Sequence, residues 1–252
     1  MSDHHRLRNL WNEDTAGYGA FLWYTDAQVS EDAAGAGFDY LVVDMQHGLP
    51  GNNELAPMLR AMAPFDVTPI VRVPVNEPGV IGRALDLGAL GVIIPMVNTA
   101  EETAAAVDAC RYTPQGSRSF GPTRAGSLYG RDYASTANDQ VLCIPMIETR
   151  EAVENADAIL SVPGVDAAYI GPSDLSLTLG LPPGGDSTEQ VFVDAIDEIL
   201  AACARHDVVP AIHADAHLAA KRRDQGFRMI TVSTDMFALR GAYYRDLKGA
   251  KE

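Results

Sequence analysis

The sequence predicts an α/β fold, a (β/α)8 TIM barrel, on three observations. The chain has 252 residues, close to the ~250 typical of that fold. Short apolar runs rich in Val, Ile, Tyr and Phe recur, each followed by a turn and then a stretch with helical periodicity. These runs are apolar almost throughout rather than alternating, as strands buried on both faces of a parallel sheet are. No boundary interrupts the pattern, so residues 1–252 are read as a single domain.

Taken in order, the eight predicted strands are residues 19–23, 40–44, 69–73, 91–95, 141–148, 167–171, 208–213 and 229–233. Between them, residues 53–62, 80–86, 100–109, 150–160, 188–204 and 215–225 carry apolar side chains at helical spacing. Gly88 and Gly226 follow two of these stretches, which fits left-handed helix termination. Two segments depart from the rhythm. Residues 114–140 are too rich in Gly and polar side chains for a core element, and they follow the fourth strand. They are therefore expected as a loop on the active rim, with Arg124 facing the substrate. Residues 180–186 read as a Pro/Gly connector.

Charge narrows the partners. With 19 Lys and Arg against 34 Asp and Glu, the formal net charge is −15, and binding to nucleic acid or anionic membranes needs clustered cations. Neutral or anionic small molecules held by specific groups are the expected partners. Lys221, Arg222 and Arg223 form a short basic cluster, read as a solvated helix face. Cys110, Cys143 and Cys203 show no C-x-x-C spacing, which argues against a disulfide framework or a thiolate zinc site. A polar start and the lack of a long apolar run predict a cytoplasmic protein whose mature form is the whole chain.

At or just past the predicted strand ends stand Trp23, Asp44, His47, Arg72, Glu148, Asp174, His213 and Ser233. Barrel enzymes keep their chemistry at that face. Glu148 and Asp174 are 174 − 148 = 26 residues apart, one strand-helix-strand unit. On a barrel rim they converge as oxygen ligands for a divalent cation. Asp44 stands within reach of His47 and either orients the imidazole as a general base or merely caps the turn. Arg72, inside an apolar strand, needs an anionic partner: Glu148 or a substrate oxygen. Gly171, Pro172 and Ser173 lead into a helix whose first N–H groups suit an anion, unless Asp174 simply caps it. His213 and His217 have a zinc-like spacing, but one ends a strand and the other begins a helix, so that geometry is expected to fail. His4 and His5 are expected to be exposed and idle.

Several segments together resemble the HpcH/HpaI aldolases, metal-dependent class II pyruvate aldolases acting on 2-keto-4-hydroxy acids. They are residues 37–48 (GFDYLVVDMQHG), 69–74 (PIVRVP), 85–89 (LDLGA), 95–97 (PMV), 111–118 (RYTPQGSR), 147–152 (IETREA) and 165–175 (VDAAYIGPSDL). The similarity runs in order over residues 17–240. It implies that Glu148 and Asp174 ligate Mg²⁺ or Mn²⁺, with Co²⁺ or Zn²⁺ as substitutes. It implies that Arg72 contacts the keto or enolate oxygen, that His47 oriented by Asp44 transfers protons, and that the backbone of Gly171, Pro172 and Ser173 holds the pyruvate carboxylate. Asp86 matches a residue that reaches a neighbouring subunit's site. Such proteins are homo-oligomers, often hexamers, and exchange a C-terminal helix, here residues 236–247.

Two positions depart from the family pattern. Gln46 stands where Glu often precedes the His, and Met146 stands where Gln is frequent. The resemblance implies cleavage to pyruvate and an aldehyde through a metal-stabilised enolate, with the loop at residues 120–131 choosing the aldehyde. An acyl-CoA lyase of the citrate lyase β or malyl-CoA lyase type and a non-catalytic ligand-binding barrel are the alternatives. No additional C-terminal domain or basic patch for CoA phosphates supports the first, and the complete set of rim residues opposes the second.

Overall fold

The structure, a computed structural model, describes residues 5–252. All eight apolar runs are strands, their ends within two residues of those expected: β1 (Gly17–Leu22), β2 (Tyr40–Asp44), β3 (Thr68–Arg72), β4 (Gly91–Ile94), β5 (Leu142–Ile147), β6 (Ala167–Ile170), β7 (Val209–His213) and β8 (Met229–Thr234). Each pairs in parallel with the next, and β8 closes on β1 into a barrel.

Strand periodicity then sorts the side chains. Leu41, Val43, Val71, Ala168, Ile170, Ile212 and Ile230 face outward into a shell shared with the helices. Tyr40, Val42, Ile70, Ile144, Met146, Tyr169, Ala211 and Met229 face inward and fill the barrel, with Leu7 entering from the strand-start end. Continuing the inward rows by two residues gives Asp44, Arg72, Glu148, Gly171, His213 and Thr231. The parity that packs the core also aims these groups at the barrel axis.

Helices Asn52–Met62, Pro78–Asp86, Ala100–Cys110 and Gln190–His206 match the periodicity. The expected helix over residues 150–160 breaks at Asn155 into Arg150–Glu154 and Ala156–Leu160. The expected helix at 215–225 starts only at Ala219, because the Asp215 carboxylate accepts the N–H groups of His217 and Leu218 in a preceding turn. Helix Ala27–Gly35 was not foreseen, although Asp26 caps it by accepting from Gln28 N–H at 2.7 Å. No described helix is long and apolar enough to cross a membrane.

Three further expectations are corrected. Residues 114–140 contain helices Ala125–Tyr129 and Tyr133–Gln140 and do not lie on the active rim. Helix Ala100–Cys110 runs first, returning the chain to the end where strands begin, and Tyr129 there donates its hydroxyl to the Gly88 carbonyl. Arg222 is no solvated side chain: it is 2% exposed and donates to Gly185 O, Asp186 and Gln225. His5 is buried, and desolvation followed by the Arg8 charge lowers its pKa to about 4. His4 lies outside the described residues.

The last helix, Asp235–Gly249, has no buried residue. Phe237, Leu239, Tyr243, Tyr244 and Leu247 stand exposed along it. Its root is fixed by Asp235, whose carboxylate accepts from the N–H groups of Trp23 and Tyr24 at 2.9 and 3.1 Å.

Candidate active site

A pocket of about 380 Å³ opens at the end where the strands finish, lined by Trp23, His47, Arg72, Met146, Glu148, Tyr169, Gly171, Pro172, Ser173, Asp174, His213 and Phe237. Asp44 lies directly behind Arg72. Of the rim residues singled out from sequence, Ser233 does not line it.

Arg72 and Asp44 are neighbours in register across β2 and β3. The guanidinium grips the carboxylate with two bonds, Nε to Oδ1 at 2.8 Å and Nη2 to Oδ2 at 2.5 Å. The carboxylate expected to pair with Arg72 was Glu148, and the structure corrects it to Asp44. Asp44 is fully buried. Burial works to raise its pKa, but the hydrogen bonds and charge of Arg72 outweigh that and hold it below the usual carboxylate range. The same carboxylate accepts from the backbone N–H groups of Gln46 and His47 at 3.0 and 3.3 Å. Asp44 therefore orients Arg72 and the turn that carries His47, rather than the imidazole ring itself. That ring lines the pocket and makes no hydrogen bond among the described residues.

Glu148 follows β5. Its Oε1 accepts from the Met96 N–H at 2.8 Å, and Met96 holds a left-handed φ of 56° to deliver it. A Cβ on Gly171 would collide with the Glu148 carboxylate and with Met146, so only glycine leaves room for this side chain. Asp174 enters from the first turn of helix Pro172–Thr178. Neither carboxylate pairs with a Lys or Arg among the described residues. Burial, followed by the negative charge of Asp174, pushes the Glu148 pKa up to about 7 against the lowering pull of Met96 N–H and Arg72.

The donor set fits a hard divalent cation. It consists of two carboxylates of like charge, one anchored through a single oxygen, beside open space. Among the described residues no group of three or more His, Cys, Asp and Glu side chains converges on a metal position. A cation that keeps several waters and takes one or two carboxylates, as Mg²⁺ does, matches this better than a closed cage.

Arg124 is corrected from a substrate-facing residue to a structural one. Its guanidinium donates to Leu87 O at 2.7 Å and Leu59 O at 3.2 Å, at the strand-start end. Asp86 is also outside this pocket, bound to Arg118 at 2.8 Å. Sequence reasoning missed Tyr169 and Phe237 as pocket residues. Tyr169 was hidden inside an apolar run, though its inward parity is shared with Gly171. Phe237 packs against Trp23 with centroids 5.4 Å apart and the rings tilted by 57°, and no motif marked it.

The family model described as HpcH/HpaI aldolase/citrate lyase matches residues 18–242. The chain is 38% identical over 238 residues to a hydroxypyruvate/pyruvate aldolase of Rhizorhabdus wittichii, covering 94% of this chain and 95% of that protein. It is 37% identical to a 4-hydroxy-2-oxo-heptane-1,7-dioate aldolase of Klebsiella pneumoniae, covering 89% and 86% of the two chains. The crystal structure of an HpcH/HpaI aldolase/citrate lyase family protein from Burkholderia cenocepacia superposes with a TM-score of 0.91 at 34% identity, covering 98% of each chain.

Proposed function

The chain belongs to the HpcH/HpaI aldolase/citrate lyase family, and from that premise we propose that it is a metal-dependent class II pyruvate aldolase. It is a carbon–carbon lyase that reversibly cleaves 2-keto-4-hydroxy acids to pyruvate and an aldehyde. The observation that carries this reading is the unpaired Glu148–Asp174 carboxylate pair, sharing one pocket with the Asp44-braced Arg72 and with His47. Citrate lyase β structures are only 15–16% identical to the chain and speak for the fold alone.

Glu148 and Asp174 would hold the cation, Mg²⁺ or Mn²⁺ in a donor set made only of oxygen. When bound, it supplies positive charge against the negative charge that develops on the keto acid as the carbon–carbon bond breaks. Arg72 adds to that stabilisation. Asp44 engages its Nε and Nη2, so Nη1 is left to donate to the substrate's C2 oxygen. The backbone of Gly171, Pro172 and Ser173 meets the substrate carboxylate. Pro172 has no N–H, so the donors are those of Gly171 and Ser173.

His47 takes the proton of the C4 hydroxyl. As the C4 aldehyde forms, the C3–C4 electron pair passes into the enolate of pyruvate, and proton return to C3 completes the methyl group. In the synthetic direction the same side chain withdraws a methyl proton from pyruvate.

The assembly is a homo-oligomer, a hexamer by the family resemblance, in which Asp86 reaches a neighbouring pocket and helix Asp235–Gly249 is exchanged. The helix's lack of any buried residue supports the exchange. Mixing Asp86→Ala with His47→Ala protomers then restores part of the activity, whereas failure to complement removes the shared site.

The test of the activity itself is an assay of chelator-stripped protein with pyruvate and a panel of aldehydes, before and after Mg²⁺ or Mn²⁺ is restored. Activity that needs the cation and vanishes in Glu148→Ala is the expected result. Full activity without metal, or in Glu148→Ala, would end this reading.

A further inference from the structure

A chain of hydroxyls inside the barrel ends at His213. Tyr40 Oη and Thr231 Oγ1 are 2.9 Å apart, Thr231 Oγ1 and Tyr169 Oη 2.6 Å, and Tyr169 Oη and His213 Nδ1 3.4 Å. Tyr40, Thr231 and Tyr169 are fully buried, so a hydroxyl left without an acceptor would be costly.

Donor accounting fixes the direction of every bond. Among the described residues Thr231 is the one hydrogen-bond partner of the Tyr40 hydroxyl, and a buried O–H without an acceptor is costly, so Tyr40 donates. The Thr231 hydroxyl, having accepted, has its proton left for Tyr169. Tyr169 in turn donates to the remaining acceptor, His213 Nδ1. The imidazole proton therefore sits on Nε2. That nitrogen has no partner among the described residues, and His213 lines the pocket. Burial and then the Arg72 charge lower the His213 pKa to about 4, so the ring stays neutral. Phe21 holds it edge-on at 5.0 Å and carries the Arg72 guanidinium at 5.0 Å as well. The pocket thus has a charged donor on β3 and a neutral one on β7, four strands away around the barrel.

We propose that His213 is a specificity-determining residue, an Nε2–H donor set by the Tyr40–Thr231–Tyr169 chain, that binds a hydroxyl oxygen on the substrate's carbon skeleton. This rests on the aldolase reading above. An uncharged donor suits a hydroxyl, which is itself neutral, whereas a carboxylate would draw more from an arginine. The hydroxyl belongs either to the 2-keto acid, on C3, or to the aldehyde, beside its carbonyl.

The experiment has two parts. Nitrogen-15 NMR of histidine-labelled protein reads the tautomer without any turnover: His213 is expected with Nδ1 bare and Nε2 protonated, and Tyr169→Phe is expected to mix the two forms. A His213 found protonated at Nδ1 would overturn the proposal. Kinetics then compare pyruvate with hydroxypyruvate, each with propanal, and propanal with glycolaldehyde, each with pyruvate. In His213→Leu the preference for the hydroxylated member, as a ratio of kcat/KM values, should fall about tenfold in one of the two comparisons, and that comparison identifies which substrate carries the hydroxyl. His213→Gln, which keeps an N–H donor, should recover part of it, and Tyr169→Phe should weaken it. Equal losses on all pairs would make His213 merely structural and overturn the proposal while leaving the aldolase reading intact. A wild-type protein inactive on every pair would overturn both.

Discussion

The two ends of the barrel treat buried charge in opposite ways. Where the strands begin, arginines are matched by the fold: Arg111 donates to Val141 O, Gly164 O and Asp166, and Arg118 binds Asp86 while lying 4.5 Å from the Tyr112 ring centre. Where the strands end, among the described residues, Glu148 and Asp174 have no cationic partner, and the His47 ring and His213 Nε2 have no hydrogen-bond partner. A buried charge is ordinarily matched by an opposite one, and two carboxylates left without one beside a cavity suit a cation. Within one protomer, the first end matches charge with charge and the second leaves carboxylates open to a pocket. Asp44 and Arg72 stand at the boundary, matched to each other but with one guanidinium nitrogen to spare.

That contrast makes opposite demands on mutants. Glu148→Ala should lower kcat/KM by about a thousandfold without lowering the melting temperature, since it removes a carboxylate that burial disfavours. Arg111→Ala should do the reverse. It leaves Asp166 short of a partner behind a side chain only 6% exposed, at a cost of about 3 kcal/mol, read by denaturant titration. An unfolded Glu148→Ala or an undisturbed Arg111→Ala would erase the distinction between the ends.

Asp44→Asn should show both effects at intermediate size, with kcat about a hundredfold lower and altered acid stability. Because the folded pKa of Asp44 lies below its unfolded value, its stabilisation is present above the ordinary carboxylate range and is lost as pH falls through the folded pKa. The wild type should therefore lose stability on acidification more steeply than Asp44→Asn, a difference read from denaturation midpoints at stepped pH. Identical acid limbs would remove Asp44 from the stability account.

Arg124→Ala should have the smallest effect, about 1–3 kcal/mol from two carbonyls losing their donor, with the KM for pyruvate unchanged. A raised KM would return Arg124 to the substrate, in its own pocket or a neighbour's.

The same contrast explains what could be read from the residues alone. Strands such as Tyr40–Asp44 were legible because parallel strands buried on both faces are continuous in Val, Ile and Leu. Glu148, Asp174 and His47 were legible as pocket residues because charge at the end of such a run has few structural uses. The Asp44–Arg72 pair was missed, although both residues end neighbouring strands, because local spacing does not declare register between strands. The loop containing Arg124 was misplaced by counting from the fourth strand without following helix Ala100–Cys110 back across the barrel. Tyr169 escaped because a tyrosine in an apolar run looks like core, and only inward parity reveals its hydroxyl.

The claim that Glu148 and Asp174 hold the cation for enolate chemistry is tested most directly by proton exchange at the pyruvate methyl. Pyruvate is incubated with the protein in D₂O and its methyl signal followed by NMR, needing no aldehyde partner. The account predicts deuterium uptake that requires Mg²⁺ or Mn²⁺, stops on chelation, and is absent in Glu148→Ala and Asp174→Ala. Uptake that persists at the wild-type rate in either variant would contradict it.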